Sequence, residues 1–469
     1  MTHRWILILI IVAAFGKLTP ASAQEDFERV EILGRGRIDD VGWLPDGRLA
    51  AFGARGIWVY DEITSDAEPE LTESPYGWIR SAAIAEPSLA TGHHDGSITI
   101  WDTANLTETT HFDALEYPVT SIALSEDGTR VAAGGGRDGV QVWDIASQTL
   151  LLHQDYGADY LISDVAVSPN GRWLYVLRLW QAGDAVGLSQ LDITEIDNPQ
   201  QTQTLEDIGI YVAHIGVDPT GRWVVLPSGE GLFVWDMERA LLIDTAFEDT
   251  VNTTIPLFND QEIVLYTEWS IARVEMETWE ALDHVSFDEP FYAAEAALAD
   301  TGLALIADPS FNGETLRVWS LATDETFDFA YEGSVSSITF EDDQIVIEHA
   351  DPALPLYTID PPPDSGLLWN ANDPWEYQNY FGSHLEVTET GQTLETSYRI
   401  STATFSPDRR VIAVGTETGE IHWLDAENLQ ELGVWEHNDG RVLAIVFSPD
   451  GERMAVGTES GLVHVWQIQ

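Results

Sequence analysis

One unit recurs along this chain, and the repetition constrains the fold more than any other feature of the sequence. Each copy begins with a short alternating strand and a Pro/Asp/Gly turn. A second apolar strand and a second turn follow, and then a strand that closes on a large residue, usually aromatic and usually followed by Asp. The clearest copies are VTSIALSEDGTRVAAGGGRDGVQVWD, ending at Asp144, ISTATFSPDRRVIAVGTETGEIHWLD, ending at Asp425, and VLAIVFSPDGERMAVGTESGLVHVWQ, ending at Gln467. The closing residue falls at Tyr60, Trp101, Trp143, Leu191, Trp235, Val274, Trp319, Ile359, Leu424 and Trp466. Successive copies are 39 to 48 residues apart, with one interval of 65 that marks a large insertion. The spacing predicts ten units.

The turns explain why each unit is a set of strands. Pro45-Asp46-Gly47, Pro169-Asn170-Gly171, Pro219-Thr220-Gly221 and Pro449-Asp450-Gly451 join first strands to second ones. Proline presets φ at the first central position, and glycine accepts the positive φ at the exit. Between turns the apolar residues alternate with period two, as at Val442, Ala444 and Val446. No stretch has a helical period of useful length, so the chain reads as all-β. One such unit buries too little apolar surface to stand alone, so neighbours must stack. Radial stacking into a ring protects the edges of each small sheet. The last unit stops after its third strand, while Phe27–Leu33 is strand-like and precedes the first complete unit. That segment is expected to supply the missing fourth strand of the last unit and to latch the ring. One ring containing all ten units is the leading reading, and two smaller fused rings, or fewer blades with split units, are the alternatives.

These residues resemble the WD-repeat family of β-propellers, over nearly all of residues 27–469. The pattern is fullest in LATGHHDGSITIWD, where Thr91, Asp95 and Trp101 match the family's hydrogen-bonding positions on the second strand, the turn and the third strand. Asp138 and Trp143 match in the next copy, Thr458 and Trp466 in the last, and Trp235 and Trp319 close the third strands of two others. His437 stands at the family's Gly-His histidine, with Glu436 in place of the glycine. The resemblance implies a β-propeller of four-stranded blades and a role in protein–protein interaction. Fold alone does not fix function.

The N-terminus predicts export. A short basic start precedes the apolar run from Trp5 to Phe15, and Ala21-Ser22-Ala23 is a small-x-small cleavage site, so residues 1–23 read as a signal peptide. The run falls short of the about 20 apolar residues that span a bilayer, and the mature protein is expected in the periplasm or secreted, without membrane insertion. Cysteine is absent, which excludes disulfides and thiolate metal sites. With 79 acidic against 21 basic residues the formal charge is −58. A field of that sign repels nucleic acid and favours basic partners.

The 65-residue interval contains the insertion, residues 361–395, opening on Pro361-Pro362-Pro363 and crowding Trp369, Trp375, Tyr377, Tyr380 and Phe381 into a short stretch. Long loops on rigid scaffolds carry function, and aromatics dominate interface hot spots. These five residues are the candidate binding surface, weighed against a role in capping the protein's own core. Trp180, in an irregular loop between the second and third strands of the fourth unit, is a weaker candidate of the same kind. His93-His94-Asp95 has the residue types of a metal site but lacks the three or four converging ligands one needs, and Glu341-Asp342-Asp343 lacks the spaced ligands of a calcium loop.

No nucleophile elbow, phosphate-cradling loop or His-x-x-x-His pair occurs, so no catalytic residue, metal or cofactor is assigned. The sequence therefore points to a non-enzymatic extracytoplasmic scaffold. The alternative is a secreted hydrolase with its site in the central channel. In its metal-dependent form that alternative requires His93, His111, His153, His214 and His284 to converge.

Overall fold

The computed structural model describes residues 27–468, apart from 34, 62–68, 136–138, 158, 183–184, 207, 209–211, 229–230, 246–253, 259–261, 277, 288–289, 292, 300–301, 308–314, 321–324, 331–334, 342–343, 350–366, 369–383, 388–391, 437–438 and 449–450. Every regular element among them is a β-strand, and every strand pairing is antiparallel. Seven consecutive four-stranded sheets fill the first part of the chain: A (38–73), B (79–113), C (121–154), D (160–205), E (216–244), F (255–286) and G (293–330). A two-stranded sheet H (335–349), a three-stranded sheet I (367–395) and the four-stranded sheets J (400–436) and K (442–468) follow.

The turns form as their composition requires. Gly47 has φ +88° and Gly171 φ +66°, and each amide donates back across its turn, to the carbonyls of Leu44 and Ser168. A Cβ at Gly47 would meet nothing, so this glycine serves backbone conformation alone.

Apolar faces stack from one sheet to the next. Phe52 and Ile57 of A meet Ile79 and Leu89 of B. Ala90 and Ile98 of B meet Ile122 and Val131 of C, and Val140 and Val142 of C meet Ile162 and Val165 of D. Tyr175 and Leu177 of D meet Val224 and Leu226 of E. Val225 and Val234 of E meet Ile263 and Leu265 of F, and Tyr266 and Ile271 of F meet Leu303 and Leu305 of G. Sheet G then packs on sheet A, through Ala304, Ile306 and Leu316 against Ile38, Val41 and Leu49. At that seam the Trp43 indole donates to the Ala297 carbonyl at 3.3 Å.

The packing therefore traces a circuit of seven sheets, and this corrects the expectation of one ring containing all units. Sheet A is covered on its two faces by B and G, so no further sheet can insert between them. Sheets I, J and K form a second run of packing: Leu385 and Leu394 lie against Ile400 and Ile412, and Ile421 and Trp423 against Val442 and Met454. The first strand of H neighbours the first strand of K.

The N-terminal strand joins the last sheet as expected. Phe27–Leu33 pairs antiparallel with Val463–Ile468, from Phe27 opposite Ile468 to Leu33 opposite Val463, with a bulge between Arg29 and Glu31. It completes K, however, and not the seven-sheet circuit. The A–G seam has no shared strand and is held by side-chain packing and the Trp43 bond.

Two other expectations are corrected. Residues 361–395 are not wholly a loop, because Leu367–Leu368, His384–Val387 and Gln392–Glu395 pair as sheet I, and Leu385 is buried against J. The segment expected as an irregular loop around Trp180 is a long hairpin. Its strands run Trp173–Ala182 and Ala185–Glu195, and Trp180 lies within the first of them, opposite Tyr160.

Candidate functional site

Three groups of polar residues stand out, and the first is the repeat's own internal network. In sheet B the Trp101 indole donates to Thr91 Oγ1 at 2.8 Å. His93 Nε2 lies 3.1 Å from Thr91 Oγ1 and 3.0 Å from Thr99 Oγ1, and Thr99 Oγ1 lies 3.2 Å from His111 Nδ1. Burial lowers the His93 pKa to about 4, so the ring is neutral and fits a network of hydroxyls. Asp95 accepts from the Ser97 amide and hydroxyl and so fixes the turn. In sheet K, Thr458 Oγ1 lies 2.8 Å from Ser460 Oγ. Trp143, Trp319 and Trp466 are half-buried on third strands, and Trp235 is buried there. Asp138 and His437 lie outside the described residues.

The second group lines the centre of the seven-sheet circuit. The first strands of A, B, D and G each carry a bulge near their start, and a polar residue follows it: Asp40, Ser81, Asp164 and Glu295. Ser121 opens the first strand of C. Asp40, Ser81, Ser121 and Asp164 tie neighbouring sheets together. Asp40 Oδ2 accepts from the Ala82 amide of sheet B at 2.6 Å, and Asp164 Oδ2 accepts from the Ile215 amide ahead of sheet E at 2.8 Å. The Ser121 hydroxyl donates to Asp164 Oδ1 at 2.7 Å, and the Ser81 hydroxyl to the Val119 carbonyl at 3.1 Å. Desolvation pushes the Asp40 carboxyl up to about 7 against the pull of its two backbone donors, and Asp39 and Asp164 raise it further. Desolvation likewise raises Asp164, and it raises Glu295 well above the usual range with help from Asp40 and Asp164. Burial lowers His214, which faces Asp164.

The third group joins sheets A, B and K. The Trp78 side chain is fully buried, and its indole donates to Asp39 Oδ2 at 2.5 Å. The Arg80 guanidinium lies 4.4 Å over its ring, and His94 stacks on it at 5.1 Å. Ala54 of A and Leu462 of K pack against it, and the Arg37 amide donates to the Ser460 carbonyl of K.

The sequence-predicted binding residues fare unequally. Trp369, Trp375, Tyr377, Tyr380 and Phe381 lie outside the described residues, as do Asp342 and Asp343. Trp180 is half-buried in its strand. The histidines do not converge. His93 and His111 belong to the sheet B network, His153 is exposed on the outer strand of C, His214 faces the centre, and His284 sits on the outer strand of F. Among the described residues no group of three His, Asp or Glu side chains is placed to hold a metal ion. The five histidines that the metal-dependent alternative required are therefore not gathered at one place. The inner carboxyls and Trp78 were missed by reading each copy separately. Aligning the copies on their first strands would have shown Asp40, Ser81, Asp164 and Glu295 in one register.

Comparison with known proteins agrees with this architecture. The family described as WD domain, G-beta repeat, matches residues 106–144, and the anaphase-promoting complex subunit 4 WD40 domain matches residues 403–469. The small ribosomal subunit protein RACK1y of Oryza sativa subsp. japonica is 30% identical over 107 residues. That match covers 22% of this chain and 31% of the rice protein, so the chain spans about a third of the length of this relative. All-β four-stranded units of this kind define a protein of the β-propeller class. The chain carries WD-type repeats, matched over residues 106–144 and 403–469.

Proposed function

We propose that this protein is a non-enzymatic scaffold that works outside the cytoplasm and holds a basic protein partner on the rim of its repeat sheets. The observation that carries this reading is the combination of WD-type sheets with a net charge of −58. A rigid array of sheets offers a broad contact surface, and the charge steers a basic partner toward it. The aromatic stretch from Trp369 to Phe381 supplies the hot spot, since large rigid rings concentrate binding energy. The apolar run of residues 5–15 and the small-residue cleavage site support export.

The test is capture of partners from the extracellular or periplasmic fraction of the native host, with residues 24–469 as bait. A triple variant, Trp369→Ala, Trp375→Ala and Tyr377→Ala, serves as the comparison. Retention of a specific protein by the native bait and its loss by the variant are expected. Equal retention by both would remove the aromatic stretch from the interface, and retention by neither would count against the scaffold.

A further inference from the structure

We propose that the seam between sheets A and G is a pH-sensitive closure, held shut while its carboxyls hold protons and loosened as they ionise. Asp40 of A and Glu295 of G follow the same bulge in first strands that lie side by side. The seam is also where the seven-sheet circuit depends on side chains, because no strand crosses it and no short connection joins the two sheets. Repulsion placed there acts on the weakest join of the circuit.

The charges around Glu295 are unbalanced. From sheet A it faces Asp40 and Asp39, and from sheet D it faces Asp164. The cations nearest to this group are engaged elsewhere. Arg37 and Arg80 lie 3.1 and 3.7 Å from Asp39, and both stand over the Trp78 ring. His214, ahead of sheet E, faces Asp164, and its burial favours the neutral ring. Ser81 of B hydrogen-bonds to a carbonyl. Carboxyls so placed gain most by holding protons, because each proton removes both a desolvated charge and a repulsion across the seam.

The sign follows from the direction of the shifts. In the unfolded chain these carboxyls ionise near their ordinary values of 3.8 and 4.5, whereas in the folded protein Asp40 holds its proton up to about 7 and Glu295 is held well above its ordinary value. The contribution of the protonated groups is therefore complete below the unfolded values and is lost as pH rises through 7.

Hydrogen exchange of the full chain, read by mass spectrometry at pH 5.5, 7 and 8.5 and corrected for intrinsic rates, tests this. Protection of Ile38–Trp43 and Ala293–Ala299 is expected to fall about tenfold or more across the range, while Val411–Thr416 in sheet J stays unchanged. Asp40→Asn together with Glu295→Gln, which keep shape without charge, should hold seam protection level with pH. If that double variant fails to fold, Asp40→Asn alone should diminish the fall, since its amide oxygen still accepts from Ala82. Flat seam protection in the native chain would overturn the proposal. So would an undiminished fall in the variants, or an equal fall in sheet J.

Discussion

Trp78 should be the residue whose loss most disturbs the relation between sheets A, B and K. Replacement by alanine removes a fully buried indole that packs on Ala54 and Leu462, stacks on His94 and lies 4.4 Å from the Arg80 guanidinium. Tryptophan-to-alanine changes at such positions cost about 3–5 kcal/mol, from lost transfer energy and from the cavity left behind. Trp78→Phe separates the ring from its N–H. It keeps most of the packing and gives up the bond to Asp39, which retains Arg37 at 3.1 Å. Its cost is therefore about 1–2 kcal/mol, the worth of a hydrogen bond to a charged group whose acceptor is not left orphaned. Urea unfolding followed by circular dichroism measures both, with midpoint and slope fitted separately. Alanine is expected to shift the midpoint strongly and to split a single transition into two as K uncouples from A and B. An alanine variant within about 1 kcal/mol of native, or a phenylalanine variant as damaging as alanine, would refute the packing argument.

Two further expectations concern the repeat network and the last sheet. Thr91→Val leaves the buried Trp101 N–H without its acceptor and should cost about 1–3 kcal/mol in the same assay; Thr91→Ser should restore most of that. Removing residues 24–33 strips the outer strand from K and exposes the full edge of Val463–Ile468, an alternating apolar strand. An open edge of that kind pairs with other chains, so sedimentation should show concentration-dependent association that the native chain lacks.

How much of this was legible in the sequence depends on whether the determinant is local. The turns at Gly47 and Gly171 were readable because proline and glycine fix the backbone over three residues. The latch was readable because Phe27–Leu33 is strand-like and the last unit shows only three strands of its own. The size of the circuit was not, because nothing in Ile38 or Val41 distinguishes a strand that must meet sheet G from one that meets K. Closure depends on curvature accumulated over seven sheets. Sheet I was read as insertion because it falls in the one interval of 65 residues and its strands are only two and four residues long. The long hairpin of D was read as loop because Gly183, Asp184 and Gly187 break the apolar alternation of the sequence there. The inner carboxyls were hidden by abundance: among 79 acidic residues, a repeated register is the signal, and the count is not.

That abundance leads to a last expectation, on salt. The folded chain engages its scarce cations in close pairs: Arg55 with Glu73, Arg130 with Asp197, Arg172 with Glu195, Arg178 with Asp192, Arg273 with Glu262 and Arg317 with Asp328, all at 2.6 to 2.8 Å. Added salt weakens the exposed pairs slightly, since such pairs contribute little. It also screens repulsion among the carboxylates that have no cation to meet, and 79 acidic against 21 basic residues leave that the larger effect. The screening length falls from about 10 Å at 0.1 M to about 3 Å at 1 M, which removes repulsion beyond nearest neighbours. The thermal midpoint should therefore rise from low to high sodium chloride at neutral pH. It should rise less at pH 4.5, where part of the surface is already protonated. A midpoint that stays level or falls with salt at neutral pH would mean that the arginine pairs, and not the unpaired acids, set the electrostatic stability of this fold.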